Sequence, residues 1–261
     1  MAASINQDIA ARLRDAYSTG PIPPIRDEIG NAEDAYAIQK INTQHWLDAG
    51  RRLVGRKIGL TSPAVQKQLG VDQPDFGALF ADMEISEHEE LAVGAVNQPK
   101  IEAEIAFVLG RDIGAEQPGL GEVIAAIDFA LPAFEIVGSR IANWDIRFFD
   151  TVADNASSGY FVLGGQPRPL SALDLYNCKM ELRRGHDGDP ISTGEGRACL
   201  GNPLNAVRWL ATVMAKFGAP LKAGDVVLSG ALGPMVAIEP GDHLVARVEG
   251  LGEVSARFAA E

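Results

Sequence analysis

Cysteine is almost missing, with only Cys178 and Cys199 in 261 residues. A chain of this size has no need of a disulfide framework, and their spacing matches no zinc motif, so two free thiols in a reducing cytosol are expected. Long hydrophobic runs are missing too. No stretch reaches the roughly 18 continuous apolar residues of a membrane span. The opening Met-Ala-Ala-Ser-Ile-Asn-Gln-Asp has neither the basic nor the apolar part of a secretion signal. The expectation is a cytoplasmic protein without a membrane partner, in which the Asn155-Ala156-Ser157 sequon carries no glycosylation meaning. Positive charge is scarce. The 23 Lys and Arg against 35 Asp and Glu leave a net charge of −12, which argues against nucleic acid as a partner. A local cation can still attract a small anion against that global field. Neither a GxGxxG nor a GxxxxGK[ST] motif is present, so nothing points to a nucleotide.

What the chain does have is a hydrophobic content of 46%, sufficient for a full core, and a change of character near residue 52. The N-terminal part reads as helical. One helix is expected over Ile5 to Tyr17, broken by Gly20-Pro21-Ile22-Pro23-Pro24, and a second opens at Asn31 and closes at Gly50. From Leu53 onward short β-branched runs alternate with glycine-rich turns: Val54–Leu60, Ile101–Leu109, Asp128–Val137, Tyr160–Gly164, Cys178–Arg184, Val226–Ser229, Val236–Ile238, His243–Val248 and Val254–Phe258. Two capped helices interrupt them, from Ser62-Pro63 to Gly70 and from Asn202-Pro203 to Gly218. The expected class is α+β, with a helical region over 1–52 and a β-rich catalytic domain over 53–261. The long connection from Gly138 to Ser158 carries Trp144, Ile146, Phe148 and Phe149 among its polar residues and is expected to be ordered.

The strongest chemical signal is a pair of glutamates inside an apolar strand, Ile101-Glu102-Ala103-Glu104-Ile105-Ala106-Phe107. Alternation places Glu102 and Glu104 on one face, about 7 Å apart along the chain. At an effective dielectric near 20, like charges ~5 Å apart repel by roughly 3 kcal/mol, and desolvation adds to that. Either the pair faces water, or one carboxyl keeps its proton, or a cation lies between them. Glu135 sits in a second apolar run, where a strand-end salt bridge with Arg140 is the alternative to a shared site. An all-oxygen set of this kind suits Mg²⁺, Mn²⁺ or Ca²⁺ and not zinc. Lys57 lies in Val54-Gly55-Arg56-Lys57-Ile58-Gly59-Leu60, alternating with Val54, Arg56 and Ile58; it is either a surface lysine or the positive charge that an anionic substrate needs. Asp75, between Pro74 and Phe76-Gly77, reads on local sequence first as a turn cap and otherwise as a functional acid.

Six segments, in order along the chain, carry a resemblance: Gly55-Arg56-Lys57-Ile58-Gly59-Leu60-Thr61, Asp72-Gln73-Pro74-Asp75-Phe76-Gly77, Ile101-Glu102-Ala103-Glu104-Ile105, Pro132-Ala133-Phe134-Glu135-Ile136-Val137-Gly138-Ser139-Arg140, Asp154-Asn155-Ala156-Ser157-Ser158-Gly159 and Ser229-Gly230-Ala231-Leu232-Gly233-Pro234-Met235. Together they resemble the 2-oxopent-4-enoate (2-hydroxypenta-2,4-dienoate) hydratases, in the hydratase/decarboxylase branch of the fumarylacetoacetate hydrolase superfamily. That resemblance implies a β-rich mixed roll or sandwich behind the helical N-terminal region. It implies a divalent cation, Mg²⁺ or Mn²⁺, held by Glu102, Glu104 and Glu135, with Lys57 and Asp75 as catalytic groups and Ser157 as a contact to the substrate carboxylate. It also implies a small anionic 2-hydroxy-dienoate as substrate, a homo-oligomer, a role in the degradation of aromatic compounds and association with a pathway decarboxylase.

Rival activities differ in what they need. The sister reaction, decarboxylation of a 2-oxo-3-enedioate (4-oxalocrotonate), calls for a second basic clamp, for which Arg140 and Arg147 are the candidates. Hydrolytic carbon–carbon cleavage calls for a histidine–acid dyad, and His45, His88, His186 and His243 lie in no such motif. A non-catalytic scaffold subunit of a pathway complex is the more distant alternative.

Overall fold

The computed structural model describes residues 2–63, 66–67 and 71–260. Helices α1 (Ala2–Thr19) and α2 (Ala32–Asp48) form the N-terminal part. Asn31 caps α2, its side chain accepting from the Asp34 N–H at 2.9 Å. Ile9, Leu13, Ile25 and Ile38 pack here against Ile141, Phe148 and Val152 of the 138–158 connection. Asp150 fixes that contact, its Oδ1 accepting from the backbone N–H groups of Ile25 (2.9 Å) and Arg26 (3.0 Å). The connection is ordered, as expected, and contains a short helix of its own (Phe148–Ala153).

Two sheets follow. The first contains seven strands: β1 (Leu53–Gly59), β2 (Asp75–Phe80), β4 (Lys100–Leu109), β5 (Ile127–Val137), β6 (Tyr160–Leu163), β9 (Val226–Leu228) and β10 (Val236–Ala237). Six of them run in the order β2-β1-β9-β4-β5-β6, and β10 pairs with β4. The second sheet has the order β3-β12-β11-β7-β8, from β3 (Glu90–Leu91), β7 (Lys179–Arg184), β8 (Pro190–Glu195), β11 (His243–Val248) and β12 (Gly252–Phe258). One face of the first sheet, carrying Ile58, Ile105, Phe107, Phe134 and Val227, shares the main core with Met180, Leu182, Leu244 and Val254 of the second. Helix Pro203–Lys216 adds Val207, Leu210 and Met214 to that core and is capped by Asn202, which accepts from the Leu204 N–H at 2.9 Å. The expected α+β class and β-rich architecture are what the structure has.

Several elements depart from the sequence reading. β2 was hidden because Pro74, Asp75 and Gly77 look like a turn, yet residues 75–80 form a wholly buried strand antiparallel to β1. β8 is a mostly exposed edge strand and so lacks apolar alternation. Helix Leu120–Ala126 is a short one whose start is held by the Glu122 side chain accepting from the Gly119 N–H at 2.7 Å. The helix expected from Ser62-Pro63 to Gly70 falls mostly outside the described residues. Among the described residues, no helix is long and apolar enough to cross a membrane.

Candidate active site

The site grows from the second face of the seven-stranded sheet. Along β4, Ile101, Ala103, Ile105 and Phe107 enter the main core, so Glu102 and Glu104 point the other way. Glu135 on β5 stands directly opposite Glu102 in the antiparallel register. The carboxylates of Glu102, Glu104 and Glu135 converge, with one oxygen of each lying within 4.8 Å of the others. Glu104 and Glu135 are 0% and 1% exposed, so neither faces water, while Glu102 is half-buried. Glu104 Oε2 accepts from the Gly230 N–H at 2.8 Å, while Glu104 Oε1 and Glu135 Oε1 have no hydrogen-bond partner. Buried, unpaired carboxylate oxygens are costly, so such a set calls for protons or a cation.

Lys57, in the middle of β1, is the nearest positive charge. Its Nζ lies 3.1 Å from Glu135 Oε2 and donates to the Ala156 carbonyl at 2.9 Å. It is 3% exposed, so it is no surface lysine. Asp75 opens β2 opposite Gly59. A side chain at Gly59 would bring a Cβ to 2.2 Å from Asp75 Oδ1 and 3.4 Å from Lys57 Nζ, so only glycine leaves room for the two groups to approach. Asp75 is buried, with Oδ1 unpartnered and Oδ2 facing the Thr151 hydroxyl at 3.4 Å. The Thr151 and Ser157 hydroxyls lie 3.3 Å apart.

Four carboxylates around one ammonium shape the protonation of the site. Burial lifts Glu104 well above the usual carboxylate range, and Glu135 and Glu102 push it further. Burial also lifts Glu135, against the pull of Lys57, to about 7. Glu102 and Asp75 are raised for the same first reason, with Lys57 opposing. Burial by itself would lower Lys57, but Glu135, Asp75, Glu102 and Glu104 outweigh it and hold the ammonium form.

Behind Lys57 the backbone takes an unusual course. Asn155, Ala156 and Ser157 are all left-handed, with φ of 53°, 51° and 56°. This conformation costs a non-glycine residue roughly 1–2 kcal/mol. It aims the Ala156 carbonyl at Lys57 and sets Ser157 beside Thr151.

These groups line a cavity of about 530 Å³. Its polar lining includes Lys57, Asp75, Glu102, Thr151, Ser157, Thr193 and Glu195, and its apolar lining includes Leu60, Trp144, Ile146, Pro234 and Met235. Of the three glutamates only Glu102 reaches the lining. Lys57 is the one basic side chain lining the cavity among the described residues, and no histidine lines it.

The alternative partner for Glu135 is corrected by the structure. Arg140 pairs with Asp154, Nε to Oδ1 at 2.6 Å, and also donates to the Ser158 and Asp154 carbonyls at 2.9 Å each. It lines a different cavity, of about 350 Å³, and Arg147 is exposed. Burial raises the Asp154 carboxyl to about 6 even against Arg140. Breaking this fully buried pair by Arg140→Met should cost about 3–5 kcal/mol, seen in thermal unfolding as a fall in Tm on the order of 10 °C. A fall of less than a few degrees would mean that the pair is dispensable.

Thr151, the Ala156 carbonyl and the Gly230 N–H were not found from sequence. Thr151 sits in a helix and looks like any helical threonine, and backbone groups have no residue signature.

The family model described as "Fumarylacetoacetate (FAA) hydrolase C-terminal" matches residues 58–259. The chain is 58% identical over 253 residues to "2-keto-4-pentenoate hydratase 2" of Dechloromonas aromatica (strain RCB), covering 96% of each chain. It is 56% identical over 255 residues to "2-keto-4-pentenoate hydratase" of Paraburkholderia xenovorans (strain LB400), covering 97% of this chain and 94% of that one. Among solved structures, 4-oxalocrotonate decarboxylase from Pseudomonas putida G7, complexed with magnesium and adipate, superposes with a TM-score of 0.93 at 32% identity, covering 99% and 98% of the two chains. With the family model spanning most of the chain and such relatives matching it nearly end to end, the chain belongs to the fumarylacetoacetate hydrolase family.

Proposed function

We propose that the protein is a hydro-lyase that adds water to 2-hydroxypenta-2,4-dienoate (2-oxopent-4-enoate), giving 4-hydroxy-2-oxopentanoate, in the breakdown of aromatic compounds. The observation that carries this reading is the pairing of a three-carboxylate cluster, two of its members buried and Glu102 half-buried, with one buried lysine beside a cavity that both Lys57 and Glu102 line. The names and identities of the relatives support the same reaction.

In this reading Glu102, Glu104 and Glu135 hold a divalent cation, Mg²⁺ or Mn²⁺. The donor set fits, being all oxygen, with Glu104 and Glu135 buried and short of partners. When bound, the cation supplies a hard Lewis acid for the carboxylate and 2-oxygen of the substrate. Lys57 stays protonated and acts as a fixed positive charge beside the oxygen that gains negative charge as the dienol ketonises. Ketonisation moves a proton from the 2-hydroxyl to C5, and Asp75, with one oxygen unpartnered and a raised pKa, takes a proton from the water that adds at C4 and returns one to C3. Thr151 orients Asp75, and Ser157 donates to the substrate carboxylate. The apolar lining of Trp144, Ile146 and Pro234 receives the alkene end and limits water there. The reading also includes a catalytic domain over 53–261 behind a helical region over 1–52, a cytoplasmic location, a homo-oligomer and association with a pathway decarboxylase.

The decarboxylase structure makes decarboxylation of a 2-oxo-3-enedioate the second reading. A diacid would bring a second carboxylate into a cavity where no second basic side chain is among the lining residues described. An unpaired buried carboxylate costs several kcal/mol. Steady-state kinetics should therefore give a kcat/KM for 2-hydroxypenta-2,4-dienoate at least about 10²-fold above that for 2-oxohex-3-enedioate, the ratio for ~2.7 kcal/mol. Faster turnover of the diacid with release of carbon dioxide would transfer the assignment to the decarboxylase.

A further inference from the structure

β2 is the last strand of its sheet, so one of its edges has no strand beside it. Two side-chain amides take that place. Asn155 treats Ala78 as a neighbouring strand would: its Oδ1 accepts from the Ala78 N–H at 2.7 Å, and its Nδ2 donates to the Ala78 carbonyl at 3.0 Å. Two residues earlier on the same edge, the Gln39 Nε2 of α2 donates to the Phe76 carbonyl and to the Val152 carbonyl, both at 2.9 Å. Both amides are buried, at 3% and 5% exposure. Between them Gly77 lets the backbones touch, since a Cβ there would lie 2.3 Å from the Asn155 carbonyl oxygen.

Asn155 is also the first residue of the left-handed turn, and asparagine is among the few residues that adopt that conformation readily. One residue on, Ala156 offers its carbonyl to Lys57, and two residues on, Ser157 lines the cavity. The strand that Asn155 grips begins with Asp75. A single side chain thus joins the two pieces of backbone that carry Asp75 on one side and Ser157 with the Lys57 acceptor on the other.

We infer that Asn155 is a positioning residue for the hydration site: its amide, closing the edge of β2, sets the distance between Asp75 and the Ala156–Ser157 turn. This inference rests on the proposed roles of Asp75, Lys57 and Ser157. Loss of the amide lets the turn relax away from β2, which weakens the Ser157 contact and misplaces the charge of Lys57.

Asn155→Gly is the decisive variant, because glycine keeps the left-handed conformation and removes only the amide. With Mg²⁺ present, it should raise KM for 2-hydroxypenta-2,4-dienoate and lower kcat, each about tenfold. Tm should move by no more than a few degrees, and Asn155→Asp, which sets a carboxylate oxygen against the Ala78 carbonyl, should not restore activity. Calorimetric binding of 2-oxopentanoate, a non-reacting 2-oxo acid, should weaken in parallel with KM. The double variant Asn155→Gly with Ser157→Ala should be less than about twofold worse in KM than Ser157→Ala alone, since the amide acts on KM through Ser157. Wild-type kcat, KM and analogue binding in Asn155→Gly would overturn the inference, as would full additivity in the double variant. Failure of the hydratase reading looks different: the wild type would then not hydrate the dienoate, while analogue binding still reports on the turn.

Discussion

Chelation of divalent cations should abolish turnover, and Mg²⁺ or Mn²⁺ should restore it. The same treatment should lower thermal stability, because in the proposed reading Glu102, Glu104 and Glu135 link the cation to the fold. At a cation concentration 100 times its Kd the linkage supplies about 2.7 kcal/mol, a Tm increase of roughly 5–10 °C for a chain of this size. Glu104→Gln should remove both the activity and that increase. Its carbonyl oxygen can still accept from the Gly230 N–H, so the local backbone is kept. The variant also has a less intuitive signature. Three carboxylates whose oxygens lie within 4.8 Å repel one another by about 3 kcal/mol per ionised pair at an effective dielectric near 20. Without metal, Glu104→Gln should therefore melt no lower, and at alkaline pH higher, than the metal-free wild type.

The pH dependence has a definite sign. Cation binding needs deprotonated carboxylates, and burial lifts Glu135 to about 7. Affinity should fall as pH drops through 7, because protons increasingly compete for the cluster. Titration of Mg²⁺ by calorimetry at pH 6 and pH 8 checks this. Full activity in metal-free buffer, or equal affinity at both values, would defeat the cation assignment.

Lys57→Met should lower kcat by about 10²–10³, the range for losing one group that stabilises developing charge. Its Tm is informative as well. Lys57 pairs with Glu135 at 3.1 Å inside the protein, so its removal leaves a buried carboxylate without its neighbour. With the cation bound, Glu135 keeps a positive partner and Tm should fall by only a few degrees. In chelator the fall should be larger, limited by how readily Glu135 takes up a proton. Normal turnover in this variant would reduce Lys57 to a structural counter-ion.

How much of this was legible in the sequence depended on whether a residue type and its spacing carried the information. Glu102 and Glu104 stood out because period-two alternation in an apolar strand leaves two acids on one face, and Glu135 stood out as an acid among buried neighbours. Lys57 was visible as a charge between two glycines, on the face opposite Val54, Arg56 and Ile58, though not its ion pair. β2 was illegible because Pro74, Asp75 and Gly77 mimic a turn, and only the neighbouring β1 reveals a strand. The Ala156 carbonyl and the Gly230 N–H were illegible in principle, since every residue has such groups. What selects them is a left-handed turn and a loop held in place by contacts distant in sequence.

The pairing of Glu102 with Glu135 across β4 and β5 makes the cluster a reading-frame mark for the sheet. A strand has two faces, so deleting one residue from either strand would turn every later side chain over. The carboxylates would enter the apolar core, and Ala103 and Ile105, or Ile136, would take their place. Length variation among functional descendants of this chain should therefore be confined to connections such as 111–119 and 185–189, outside the strands. A library of single-residue deletions would map these permitted positions directly.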